Sequence, residues 1–136
     1  MTFTFGNTHH YEEKGVPSRT TKKINHHRWI SFVVANDLRN DTDLIIKRVT
    51  FNLHKTFQNP KVVVDKPPFI CSRIGWGYFE VPIEIEFQPW VGLDKKVVKH
   101  MLHLEDKGDY QAFTITLNDI PENVQQKIEE ERSSKH

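Results

Sequence analysis

From Phe79 to Phe87 the chain alternates without a break. Phe79, Val81, Ile83, Ile85 and Phe87 are apolar, while Glu80, Pro82, Glu84 and Glu86 between them are acidic or proline. Successive side chains of a strand point to opposite faces, so this run is a strand with one buried row and one solvated row. A strand of that kind needs partners that also offer one apolar face, and the chain supplies several.

Trp29–Ala35 is rich in β-branched and aromatic residues, as a buried strand is. Leu44–Leu53 forms the next strand, with Val49, Phe51 and Leu53 on one face and Arg48, Thr50 and Asn52 on the other. Asn36-Asp37 and Asn40-Asp41-Thr42-Asp43 supply the turn chemistry between them. After a turn at Asn59-Pro60 comes a short strand at Lys61–Val64, then Pro67-Pro68, which cannot donate ladder hydrogen bonds and marks an edge or a kink. Gln88–Asp94 is a loop, and Val97–Leu104 and Gln111–Leu117 are two further strands. Residues 1–27 open with Phe3 and Phe5 and continue as a polar tract, which predicts a short strand or arm followed by a loop. At the other end Pro121 and Glu122 open a helix to about Arg132, with Ile120, Val124 and Ile128 at helical spacing.

Seven or eight short strands separated by turn signals imply an all-β fold, an immunoglobulin-like antiparallel sandwich with a short C-terminal helix. The chain of 136 residues is read as a single domain over 1–136, divided into an N-terminal arm and loop (1–27), the sandwich (28–118) and the terminal helix (121–132).

The formal net charge of +1 argues against nucleic-acid binding as the dominant activity, since that needs a basic excess. One cysteine, Cys71, leaves no internal disulfide framework and fits a reducing compartment. No apolar run approaches the roughly 18 residues of a membrane span. The expectation is a soluble intracellular protein with no membrane partner.

His54, Thr56, Cys71, Asp65 and Glu80 are the side chains from which a nucleophile and base would have to come. No nucleophile elbow, paired acidic motif or phosphate-binding glycine loop links them, because Gly75-Trp76-Gly77 puts an indole where a phosphate would approach the backbone. Cys71 reads as an inert buried thiol. The adjacent pairs His9-His10 and His26-His27 point to opposite faces on a strand, and no ligand spacing of the zinc type occurs. The expectation is therefore a protein without catalytic residues, metal or cofactor.

Two loops flank the strands with more than turn chemistry. His54, Thr56 and Phe57 lie in one, and Gly75, Trp76, Gly77, Tyr78 and Phe79 in the other. A sandwich brings such loops together at one end. Facing aromatic planes with a hydroxyl and free backbone N–H groups between them suit a flat, amide-like group. The competing reading is that these aromatics cap the core. It is strong for Phe79, which heads an inward row, and weaker for Trp76, which sits between glycines in a turn.

These residues resemble the YEATS family. The resemblance rests on Leu53-His54-Lys55-Thr56-Phe57, Asn59-Pro60, Pro67-Pro68-Phe69 and Gly75-Trp76-Gly77-Tyr78-Phe79. His27-Arg28-Trp29 resembles the family's His-x-Trp strand opening, and Phe5-Gly6-Asn7 a Tyr-Gly-Asn found in its branch from chromatin-remodelling and acetyltransferase complexes. The resemblance spans roughly residues 5–130. It implies a nuclear reader of acetylated or crotonylated lysine on histone tails, without catalysis, recruiting a chromatin-modifying or transcription complex. Carried over by position, Phe57 and Trp76 sandwich the acyl amide. The Thr56 hydroxyl and the Trp76 N–H bind its oxygen, His54 orients the hydroxyl, and Gly75, Gly77, Tyr78 and Phe79 shape the channel. Asn25, His27 and Lys99 fall at positions that flank the peptide. Thr56 stands where serine is common, Tyr78 replaces a small or acidic residue, Asn25 replaces a histidine or aromatic, and Lys99 aligns with an acidic position. The implied partners are the acylated tail and other subunits of such a complex. The alternative function is a non-reading structural module that scaffolds a chromatin complex through its sheet edges and C-terminal helix.

Overall fold

The computed structural model describes residues 1–17, 24–75 and 77–134. Within them the order is β1 (Thr2–Pro17), β2 (Ile24–Ala35), β3 (Ile46–Asn52), β4 (Lys61–Val64), β5 (Phe69–Ile74), β6 (Glu80–Phe87), β7 (Lys95–Met101), β8 (Gly108–Thr114) and α1 (Glu122–Ser133). The strands make two antiparallel sheets, ordered β5-β2-β1-β8 and β4-β3-β6-β7. This is the immunoglobulin-like sandwich with a short C-terminal helix that the alternation implies.

β6 shows how the sequence produces it. Val81, Ile83, Ile85 and Phe87 are all buried, and the acidic residues between them face out. From the opposite sheet Phe3, Trp29, Val33 and Phe69 complete one core, with Phe3 meeting Phe87 edge to face at 5.7 Å. Each such side chain contributes about 1.5–3 kcal/mol on burial. Pro82 is tolerated because the β3–β6 ladder ends at Phe51–Ile83. Its missing N–H therefore interrupts no pair, and its carbonyl accepts from the Asn52 side chain at 3.2 Å.

The N-terminal segment departs from expectation. Residues 1–17 are not an arm: β1 lies between β2 and β8 in the middle of its sheet. Phe3 and Phe5 carry the inward alternation. Beyond them, pairing continues to Tyr11 opposite His27, then resumes after a register shift at Val16 opposite Asn25. Backbone pairing of a polar stretch leaves no hydrophobic period, so the sequence does not announce it. The sandwich accordingly begins before residue 28, and the remainder of the expected loop, residues 18–23, lies outside the described residues.

Smaller shifts have local causes. β3 starts at Ile46 because Thr42–Leu44 forms a 3-10 turn. Leu53 leaves the strand yet stays buried, donating its N–H to the Pro60 carbonyl at 2.8 Å. Pro67-Pro68 does sit at a kink, where the chain crosses from edge strand β4 to edge strand β5 in the other sheet. The last two strands begin earlier than their apolar residues suggest, at Lys95 and Gly108. In α1, Val124 and Ile128 are buried as their spacing implies, and the Glu131 carboxylate accepts from the Asn40 N–H at 3.1 Å.

Candidate functional site

Two connections meet at one end of the sandwich. The first leaves β3 through buried Leu53 and turns at His54–Asn59, closed by the Phe57 N–H donating to the His54 carbonyl at 3.0 Å. Asn59, at φ 53°, turns the chain into Pro60. The second runs from Gly75 to Phe79 between β5 and β6. It is tied at its start by the Gly75 N–H to the His27 carbonyl (2.8 Å) and at its end by the Phe79 carbonyl to the Leu102 N–H (3.1 Å).

Phe57 and Phe79 come together with ring centroids 5.5 Å apart and planes at 53°. Both stand edge-on to Trp29, at 6.0 and 6.2 Å. Trp29 is 1% exposed and forms the floor. His54 packs against Phe79 at 5.8 Å, and its Nδ1 lies 2.9 Å from the Thr56 hydroxyl oxygen. A β-carbon at Gly75 would lie 3.7 Å from the tip of the Phe57 ring, so glycine leaves that part of the ring uncovered. Gly77 faces open space and Tyr78 is exposed.

His54, Thr56, Phe57, Gly75 and Phe79 are thus brought together, while Gly77 and Tyr78 lie exposed in the segment between Gly75 and Phe79. Trp76 lies outside the described residues, and its role rests on the sequence. Of the flanking candidates, His27 is adjacent: its carbonyl anchors Gly75. Asn25 lies two residues further along β2, opposite Val16. Lys99 is on the solvent face of β7, opposite Pro82, with its amine 3.9 Å from the Glu80 carboxylate.

Sequence reasoning missed two features. Trp29 is the floor of the site as well as a strand opener, which its place in the inward row with Ser31, Val33 and Ala35 could have indicated. The separated histidine pairs also converge across β1 and β2. His9 and His27 stack at 5.0 Å with His9 Nε2 2.8 Å from His27 Nδ1, and His9 Nδ1 reaches the Asp106 carbonyl at 2.9 Å. Burial, then the neighbouring His9 and His26, pushes the His27 pKa below the ordinary histidine value. Only the fold reveals this contact.

The arrangement suits recognition of a planar polar group. A flat group entering over Phe57 would meet aromatic faces and one oriented hydroxyl. Cys71 is buried on β5, and burial raises its thiol pKa, with Arg73 pulling the other way. Among the described residues, no three His, Cys, Asp or Glu side chains are grouped to hold a metal ion.

Residues 24–106 match the model of the YEATS family. Over 76 residues the chain is 41% identical to the protein AF-9 homolog of Candida albicans, covering 54% of this chain and 29% of that protein. It is 34% identical over 90 residues to transcription initiation factor TFIID subunit 14 of Schizosaccharomyces pombe, covering 65% and 36%. The chain spans about a third of the length of these curated relatives. The Yaf9 YEATS domain solved bound to H3K27ac superposes with a TM-score of 0.68 at 25% identity, covering 95% of this chain and 92% of that one.

Proposed function

The chain belongs to the YEATS family, and from that premise we propose that it reads acylated lysine on histone tails through the His54–Thr56–Phe57 loop and the Gly75–Phe79 segment. The observation that carries the reading is the His54–Thr56 contact beside an aromatic face left uncovered at Gly75. The solved relative bound to H3K27ac supports it.

In this reading the acyl-lysine side chain enters over Phe57, and its amide lies between that ring and Trp76. The Thr56 hydroxyl and the Trp76 backbone N–H donate to the acyl oxygen. Stacking favours a planar group, so a crotonyl chain, whose conjugation extends the plane, fits as well as acetyl. Gly77 and Tyr78 form the rim, and His27 places the loop that carries Gly75. Residues 1–136 act as one such unit in the nucleus, bringing other subunits of a remodelling, acetyltransferase or transcription complex to acylated chromatin. It is a binding module, not an enzyme. One buried side chain and a short peptide give micromolar or weaker affinity.

The test is a calorimetric titration with matched histone H3 tail peptides, unmodified, acetylated and crotonylated at one lysine. Binding that requires the acyl group supports the reading. Equal affinity for all three, or none for any, overturns it.

A further inference from the structure

The two outer faces of the sandwich differ in kind. On the β4-β3-β6-β7 sheet three ion pairs cross the strands, Arg48 with Glu86, Lys95 with Glu84 and Lys99 with Glu80, among the exposed side chains of Val63, Val97 and Met101. That is how an antiparallel sheet meets water. On the β5-β2-β1-β8 sheet the pairing aligns Ile70, Phe32, Gly6 and Tyr110 in one row across all four strands. The rows on either side hold Ile30 and Val34, and every other position in them is Thr, Ser, Ala or Gly. Three consecutive rows therefore carry no charge.

β-Branched and aromatic residues suit strands, which accounts for each of them singly. It does not account for their grouping, or for a row that ends in a tyrosine 71% exposed on one edge strand and an isoleucine 38% exposed on the other. Gly6 is required because a β-carbon there would lie 2.3 Å from the Asp109 carbonyl and 2.9 Å from the Tyr110 Cβ. Tyr110 thus roots above the missing side chain and stands out from the sheet.

We propose that this uncharged face docks one amphipathic helix of a partner protein. The size selects that occupant over a second copy of the chain. Four strands about 4.8 Å apart and three rows about 7 Å apart make a patch on the order of 400 Å². A stable dimer buries roughly 800 Å² on each partner. A helix of three to four turns is about 20 Å long and 10 Å wide, which this patch covers. The absence of charge asks for an apolar stripe on the helix.

The probe is a displayed library of amphipathic helices of about 14 residues with apolar residues at i, i+3, i+4 and i+7, selected against the intact chain. The expected result is enriched helices whose binding shifts the NMR signals of Phe32, Ile70 and Tyr110. Tyr110→Asp weakens them at least tenfold, and so does Ile70→Asp, while acyl-peptide binding is unchanged in both variants. No enriched helix, helices that bind the variants as well as the parent, or a dimer in sedimentation that Tyr110→Asp dissolves would each overturn it.

Discussion

The Nδ1 of His54 lies 2.9 Å from the hydroxyl oxygen of Thr56, and the Thr56 backbone N–H approaches the same nitrogen at 3.3 Å. With Nδ1 as acceptor both contacts are hydrogen bonds; with Nδ1 protonated only the contact to the hydroxyl oxygen is. With the proton on Nε2, Nδ1 accepts, and the threonine hydroxyl spends its hydrogen on the ring. With the proton on Nδ1, the ring donates to the oxygen, and the hydroxyl hydrogen is free for an acyl oxygen. On the proposed reading a bound acyl-lysine selects the second form, at the expense of the Thr56 N–H contact.

His54→Phe isolates that hydrogen bond. The ring still packs on Phe79, but nothing orients the Thr56 hydroxyl. We expect a loss of about 1 kcal/mol, roughly fivefold in Kd for the acylated peptide, with an unchanged urea midpoint. Fluorescence anisotropy with labelled peptide reads the first, and circular dichroism the second.

Gly75 tests the uncovered aromatic face. A single β-carbon at 3.7 Å from Phe57 is in ordinary contact, so Gly75→Ala should fold and bind nearly as well. Gly75→Leu places a branched chain over the ring and should weaken acyl-peptide binding at least tenfold. The contact is on the rim, so we expect a change in stability below about 0.5 kcal/mol for either variant.

Much of this was legible beforehand because the residues that build the core alternate. Val81, Ile83, Ile85 and Phe87 announce a half-buried strand, and their partners follow from the same pattern. The loop motif around His54–Phe57 is legible because it is contiguous. What remained hidden is what pairing alone creates. β1 beyond Asn7 is held by backbone hydrogen bonds to β2, which leave no trace in side-chain type. The meeting of His9 with His27, and the neutral row through Gly6, depend on the register of strands far apart in sequence. Family position, the ground for including Lys99 and Asn25, does not fix where a side chain lies relative to the rings.

His100 makes stability depend on pH. It is 1% exposed, donates from Nε2 to the Asn7 side-chain oxygen at 2.6 Å, and its buried Nδ1 has no partner among the described residues. Burial lowers its pKa below 6.5, opposed in part by Asp109 and reinforced by His103. The unfolded chain therefore binds the proton first, so stability is full above about 6.5 and falls as pH drops through that value toward the folded pKa. His27 acts in the same sense. Urea midpoints should decline from neutral to mildly acidic pH, and His100→Gln should flatten the decline. An unaltered slope in that variant contradicts the assignment.

Asn7 fastens β1 to the segment after β7. Its oxygen also accepts from the His103 N–H at 3.0 Å, and its amide donates to the His103 carbonyl at 2.9 Å. Asn7→Ala leaves the His100 donor buried and unpaired, which should cost about 2–3 kcal/mol in urea denaturation. The His54–Thr56 loop makes no use of Asn7, so acyl dependence should survive at temperatures where the variant is folded.

The most direct measurement is a double-mutant cycle between the acyl group and the Thr56 hydroxyl. Peptide with and without the acyl group is titrated against the parent chain and against Thr56→Val. If the hydroxyl holds the acyl oxygen, the gain in affinity from acylation shrinks by roughly fivefold or more in the variant, a coupling of about 1 kcal/mol. An acyl gain of the same size in both proteins would mean that Thr56 does not touch the acyl group, and would contradict the site as assigned.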